Sequence, residues 1–190
     1  LNTRRYAAAD PRREPHGDPP PWRFLESDAL PALLAERYRR PQAPLWLEAS
    51  PAQVMWHVER ARFYARVLGK PQSPHIGARA GDAFALWAAD YPHGLLRILL
   101  LYPGARLDAV GASFDPRSPE AADLRNVLHA ARAHAFLAEL PTVEVWENPR
   151  NARYLRGGIH AVCEDLPMLL PLSAGVRAED WTDYERVHWI

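Results

Sequence analysis

Three consecutive segments decide the fold of this chain: LLRILLLY (Leu95–Tyr102), SPEAADLRNVLHAARAHAFLAEL (118–140) and TVEVW (142–146). The first is a nearly continuous apolar run, which is typical of a strand buried on both faces. The second opens with Ser-Pro-Glu and repeats apolar residues at helical spacing until Pro141, so it predicts a helix. The third alternates and predicts a strand. Together they predict a βαβ unit with a parallel strand pair and a right-handed crossover.

Shorter elements surround this unit. They are helices over 28–39, 50–68 and 148–156, and strands over 45–47, 75–80, 83–90, 166–172 and 184–190. The second helix has a clear start, because Ser50 and Gln53 form a capping-box pattern. Gly81-Asp82 suits a tight hairpin turn between two of the strands. The remaining strands are joined by short turns and are therefore expected to be antiparallel.

The predicted fold class is α/β (α+β): a mixed, mostly antiparallel sheet flanked by helices, with one parallel βαβ pair. Residues 1–22 contain five prolines and several arginines, with little that can form a core. This composition predicts a tail or linker. We therefore expect one domain over residues 23–190, preceded by a tail over 1–22.

The charge balance and the composition argue against several classes of binding partner. The chain has 23 basic and 23 acidic residues, whereas nucleic-acid-binding proteins usually carry a basic excess. No apolar run reaches the roughly 20 residues needed to cross a bilayer, and the N-terminus lacks a signal-peptide pattern.

We interpret Cys163 as a packing residue, with a free-thiol role as the alternative. No residue cluster has metal-ligand spacing. The prediction is a cytoplasmic protein without a nucleic-acid, membrane or metal partner.

The order of elements resembles the GNAT acetyltransferase fold, and several segments resemble lysine N-acetyltransferase-like proteins of fungi. These segments are FLESD (24–28), QVMWHVERARF (53–63), FALWA (84–88), LLRIL (95–99), VEVWENP (143–149), DLPML (165–169) and DWTDYERVHWI (180–190). They occur in the same order and cover about residues 24 to 190. The resemblance implies the GNAT-like C-terminal domain of that family, which lies downstream of an N-terminal acetyltransferase region.

This resemblance implies acetyl transfer from acetyl-CoA, as co-substrate, to the amine of lysine or a related small amine. The implied partners are that small-molecule amine and an N-terminal acetyltransferase region or a dimer mate. In an active GNAT domain, an Arg/Gln-x-x-Gly-x-Gly/Ala loop after the fourth strand binds the pyrophosphate through backbone N–H groups. The corresponding residues 102–116 have two glycines at a different spacing, two acidic residues and prolines, which lack N–H groups.

Two further functions therefore remain open. The first is a non-catalytic GNAT-like domain that shapes the substrate cleft or mediates partner or dimer contacts, and it predicts an exposed apolar patch. The second is a free-standing module that binds another small molecule.

Tyr154, Glu144 and His57 are the candidate catalytic residues of the sequence. Tyr154 follows the predicted last strand of the βαβ unit, where the resemblance implies a tyrosine that protonates the leaving thiolate; its alternative is packing against the sheet. Glu144 is either a base or a solvated strand residue. His57 either points into a cleft or lies on a helix surface.

His129 and His134 fall on different helical faces, which makes them poor metal ligands. Core packing explains most of the tryptophans, with an interface role as the alternative.

Overall fold

The computed structural model describes residues 2–13, 20–39, 45–46, 49–109, 113–147, 151–155, 157–162 and 181–183. Their strands are β1 (Asn2–Ala7), β2 (Arg23–Leu25), β3 (Leu45–Trp46), β4 (Gly77–Ala80), β5 (Ala83–Asp90), β6 (Leu95–Tyr102), β7 (Thr142–Glu147), β8 (Ile159–Val162) and β9 (Trp181–Asp183). Their helices are α1 (Leu30–Arg37), α2 (Pro51–Val67), α3 (Ala105–Asp108) and α4 (Pro119–Leu137). Two 3₁₀ turns cover Ser27–Ala29 and Tyr91–His93.

Seven of these strands form one sheet in the order β2-β4-β5-β6-β7-β1-β8. Strands β6 and β7 are parallel, and the other neighbouring pairs of this sheet are antiparallel. Helix α4 connects β6 to β7, as expected for a βαβ crossover. Strands β3 and β9 form a separate parallel pair. The predicted mixed, mostly antiparallel sheet with one βαβ pair is confirmed.

Helices cover both faces of this sheet. Helix α4 buries Leu124, Val127 and Ala131 against one face, in a core shared with Leu96 and Val143. Helices α1 and α2 cover the other face, in a second core formed with residues of β5 and β6. The central strands are therefore buried on both sides, which explains the continuous apolar sequence of β6.

The starts of the two long helices follow from their sequences. The Ser50 hydroxyl accepts a bond from the Gln53 backbone N–H at 3.2 Å, and the Gln53 side chain accepts one from the Ser50 N–H at 2.8 Å. The predicted capping box is thus present. At α4, the Ser118 hydroxyl accepts a bond from the Ala121 N–H at 3.1 Å. Proline occupies the first turn of both helices, where its missing N–H has no effect on the helix.

The prediction of a tail over residues 1–22 is wrong for β1, which lies inside the sheet between β7 and β8. Its Arg4 donates to Glu147 and to the Gly157 carbonyl, and its Tyr6 packs into the core beneath α4. Arg132 donates to the Ala7 carbonyl. These partners are more than 100 residues away along the chain, so a local reading of an arginine-rich segment missed them.

Smaller differences lie after the βαβ unit. The described part of the predicted helix 148–156 is a single turn over residues 151–154, and β8 was not predicted. The predicted strands 166–172 and 184–190, and Cys163, lie outside the described residues. Within the described part of the chain, no helix is both long and apolar enough to cross a membrane.

Candidate functional site

Strands β6 and β7 separate as they run toward their carboxyl ends. Their parallel ladder pairs Leu95 with Thr142 and ends where Ile98 pairs with Val145. Strand β6 continues to Tyr102, but from there it pairs only with β5. Leu86 pairs with Leu100 and Trp87 with Ile98, so Leu99 is the extra residue of a β-bulge, which bends a strand. The divergence of β6 from β7 creates a cleft in the sheet, which we term the β6–β7 cleft.

Three buried side chains fill the β6–β7 cleft. Leu107 comes from α3 on the connection after β6, whereas Tyr154 and Leu155 come from the segment after β7. The Tyr154 hydroxyl donates to the Leu107 carbonyl at 2.5 Å, and Arg153 donates to that carbonyl at 2.9 Å and to the Tyr154 hydroxyl. The Phe114 ring centroid lies 5.6 Å from that of Tyr154. The segments after the two strands therefore hold each other across the cleft.

The connection after β6 is anchored on its other side by a buried ion pair. Arg37 of α1 donates to Asp108 of α3 at 3.3 Å, and both side chains are buried. The Arg37 guanidinium also lies 5.8 Å from the centre of the Tyr102 ring. Burial, reinforced by the negative charge of Asp108, raises the pKa of Tyr102. Helix α3 is thus fixed to α1 as well as to Tyr154.

The N-terminus of α4 carries carboxylates and engaged N–H groups. Pro119 has no N–H, and the Ala121 N–H is bonded to Ser118. The Glu120 N–H lowers the pKa of its own carboxyl, as does Arg106, whose guanidinium lies 2.6 Å from that carboxylate. Burial, with the charges of Asp82 and Glu120, raises the pKa of Asp123. The N–H groups of Glu120 and Ala121 are therefore already engaged, although a free helix N-terminus attracts anions.

Glu144 is buried and ion-paired, so the expectation of a solvated strand residue is wrong. Its side chain is 4% exposed and accepts bonds from Arg5 of β1 at 2.9 Å and from Arg97 of β6 at 2.8 Å. Arg97 also binds Asp90 at 2.6 Å, and it holds the pKa of that carboxyl low together with His93, against the opposing effect of burial. Through these two bonds Glu144 ties β1, β7 and β6 together.

The structure shows the positions of the three histidines singled out from the sequence, His57, His129 and His134. His57 is buried in α2, whereas a surface position was expected for a helical histidine. The His129 ring lies 5.5 Å from Trp22, and the His134 ring lies 5.3 Å from Trp87. Within the described ranges, no group of three or more His, Cys, Asp or Glu side chains is arranged to hold a metal ion.

The sequence pointed to Tyr154, and the structure puts its hydroxyl at the β6–β7 cleft; its role as an acid stays a prediction. The sequence missed the Arg37–Asp108 pair and the Arg5–Glu144–Arg97 group. The signal for both was a charged residue inside an otherwise apolar element: Arg97 in β6, Glu144 in β7 and Arg37 at the end of α1. Such residues are rarely buried without a partner.

The comparisons with known proteins agree with this geometry. The family model described as the LYC1 GNAT-like C-terminal domain matches residues 7–189. Curated proteins and solved structures give no match.

Proposed function

Because the chain belongs to the LYC1 GNAT-like C-terminal domain family, we propose that it is the GNAT-like C-terminal domain of a lysine N-acetyltransferase-type protein. In this proposal the whole protein transfers acetyl from acetyl-CoA to the amine of lysine or a related small amine. This domain is the non-catalytic part, and acetyl-CoA binds outside the β6–β7 cleft. The GNAT family in general uses acetyl-CoA, and the proposal concerns where it binds.

The single observation that carries the proposal is the state of the α4 N-terminus. A diphosphate needs several free N–H donors and a positive field. Here the first turn offers a proline, an N–H bonded to Ser118 and an N–H that faces its own Glu120 carboxylate. Asp82 and Asp123 add negative charge beside it. Two or more phosphate charges at this position would be repelled.

The filled β6–β7 cleft supports the same conclusion. A linear thiol chain entering between the strands would displace Leu107, Tyr154 and Leu155, which are all buried. It would also break the hydrogen bond from Tyr154 to the Leu107 carbonyl. The Leu107 carbonyl would keep only its bond from Arg153, and the loss of a buried hydrogen bond is unfavourable.

An exposed apolar stripe on α2 supports a partner-binding role. Trp56, Phe63 and Val67 are 43%, 56% and 65% exposed. Their spacing places them on one helical face, opposite the buried Val54, Val58, Ala61 and Ala65. Arg60 lies over the Trp56 ring at 4.7 Å, and Arg66 adds a second positive charge to α2. This α2 stripe therefore fits an apolar surface bordered by carboxylates, which we assign to the acetyltransferase region.

The test is calorimetric titration of the 190-residue chain with acetyl-CoA, together with a lysine acetylation assay. We expect no binding and no turnover by the chain alone, and turnover when the acetyltransferase region is supplied with it. A dissociation constant in the roughly micromolar range for the chain alone would contradict the proposal.

The competing function is acetyl transfer by this domain itself, with Tyr154 as the acid. The position of its hydroxyl at the β6–β7 cleft favours it. The same titration separates the two functions, because an active domain must bind acetyl-CoA.

A further inference from the structure

A cavity lies away from the β6–β7 cleft, between α2, β5 and α4. Its volume is about 40 Å³, which holds about three water molecules or a ligand of about four heavy atoms. Its α2 wall consists of Val58, Ala61 and Ala65, which offer methyl groups, and of Arg62. Trp87 and His134 line it from β5 and α4.

Trp87 carries a buried polar group that the fold does not satisfy, and His134 lies beside it. The Trp87 side chain is 1% exposed, and its indole N–H has no acceptor among the described residues. His134 is 6% exposed, and its ring is surrounded by the rings of Trp87, Phe24 and His75 at 5.3, 5.8 and 6.2 Å. None of the hydrogen bonds among the described residues ends on its imidazole. Buried polar groups normally have a partner, so a bound molecule with a hydrogen-bond acceptor fits this cavity.

The charges around the cavity indicate which molecule it accepts. Its remaining polar lining includes Arg62, Gln72 and Ser73, whose side chains carry hydrogen-bond donors. No carboxylate is found among the described residues that line it. The Arg62 guanidinium is paired with Glu59 at 2.6 Å, but Glu59 is largely exposed and lies outside the lining. The lining therefore offers donors to an anion and no carboxylate to an ammonium ligand.

We propose that this cavity binds a short-chain monocarboxylate of the size of acetate. Its methyl group packs against Ala61 and Ala65, and its oxygens accept hydrogen bonds from His134 and from the donors near Arg62. A neutral imidazole supplies one N–H for this purpose. This site is independent of the proposed acetyl-transfer function, because it shares no residue with the β6–β7 cleft.

The test is an NMR titration of the isotope-labelled chain with sodium acetate, with sodium chloride at equal ionic strength as the control. The signals observed are the Trp87 indole N–H and the His134 ring. We expect both signals to move saturably with a dissociation constant of about 1 mM, as befits a ligand of four heavy atoms. Bound acetate also favours the protonated imidazole. The apparent pKa of His134 should therefore rise, while Arg62, His75 and Tyr91 are the other ionisable groups lining the cavity.

Two variants and one other ligand make the test specific. Ala61→Val fills the cavity and should weaken acetate binding by at least about tenfold, whereas His93→Gln, at an exposed histidine, should leave it unchanged. Ethylammonium should move neither signal. If Ala61→Val does not fold, the titrations of the unaltered chain and of His134→Gln still test whether acetate binds in the cavity.

Three results would overturn the proposal. They are unmoved signals at saturating acetate, equal shifts with chloride, and tighter binding of ethylammonium than of acetate. The first would mean that the cavity holds water only, and the second that the signals respond to any anion or to ionic strength.

Discussion

Burial sets the protonation state of single side chains in this fold. His134 lies among aromatic rings without an anionic neighbour, and burial, aided by the nearby His75, lowers its pKa to about 4. It is therefore neutral at pH 7. Burial has this effect because it removes the charged imidazolium form from water.

The lowered pKa of His134 predicts a loss of stability in acid. An unfolded histidine titrates near pH 6.5, so between about pH 6.5 and 4 the unfolded state binds a proton that the native state does not. The free energy of unfolding should fall by up to about 3 kcal/mol over this window from this residue. His134→Gln should remove that part of the slope. Urea unfolding of both proteins at several pH values measures it, and equal slopes would contradict the prediction.

Replacement of Tyr154 tests whether its hydroxyl has a structural or a catalytic role. Tyr154→Phe removes one of the two donors to the buried Leu107 carbonyl, which keeps Arg153, and should lower the free energy of unfolding by about 1 kcal/mol. Under the proposed function, turnover of the complete acetyltransferase should not change once the variant is folded. A fall in kcat of roughly a hundredfold or more would instead assign Tyr154 to acid catalysis.

At the scale of elements, the helices and strands with a regular local sequence pattern were predicted correctly. Strand β6, helix α4 and strand β7 have unbroken patterns, and their bounds were close to those observed. Strand β1 was missed because Arg4 and Arg5 read as solvated charges. They become strand residues only through Glu147 and Glu144, and nothing in the local sequence marks these distant partners.

Strand β1 should therefore depend on its ion pairs. Glu144→Gln removes the buried carboxylate that Arg5 and Arg97 share, while Arg97 keeps its bond to Asp90. Because the Arg5 side chain is 44% exposed, we expect a loss of about 2–3 kcal/mol, below the range for fully buried pairs. Glu59→Gln breaks the exposed pair with Arg62 and should lower the stability by less than about 1 kcal/mol. Urea unfolding compares the two, and equal losses would refute the anchoring role.

At the scale of the molecule, the fold and the candidate site were not equally predictable. The GNAT-like arrangement followed from element order and from resemblance. Whether the β6–β7 cleft is open or filled did not follow from the sequence. It depends on the contact of Asp108 with Arg37 and of Tyr154 with the Leu107 carbonyl. These contacts join elements that are distant in sequence, so only the folded chain shows that the cleft is filled.

The α2 stripe gives the prediction that tests how this domain works with its partner. The double variant Phe63→Ser and Val67→Ser removes two exposed apolar groups of the stripe. Because surface substitutions change stability little, the free energy of unfolding should move by only about 0.5 kcal/mol per site. Binding to the separately prepared acetyltransferase region should weaken at least about tenfold, as measured by calorimetry. Ile159→Ser, at another exposed apolar residue, should leave that binding unchanged. If both variants bind as the unaltered chain does, the partner lies on another surface and the assignment of the α2 stripe is wrong.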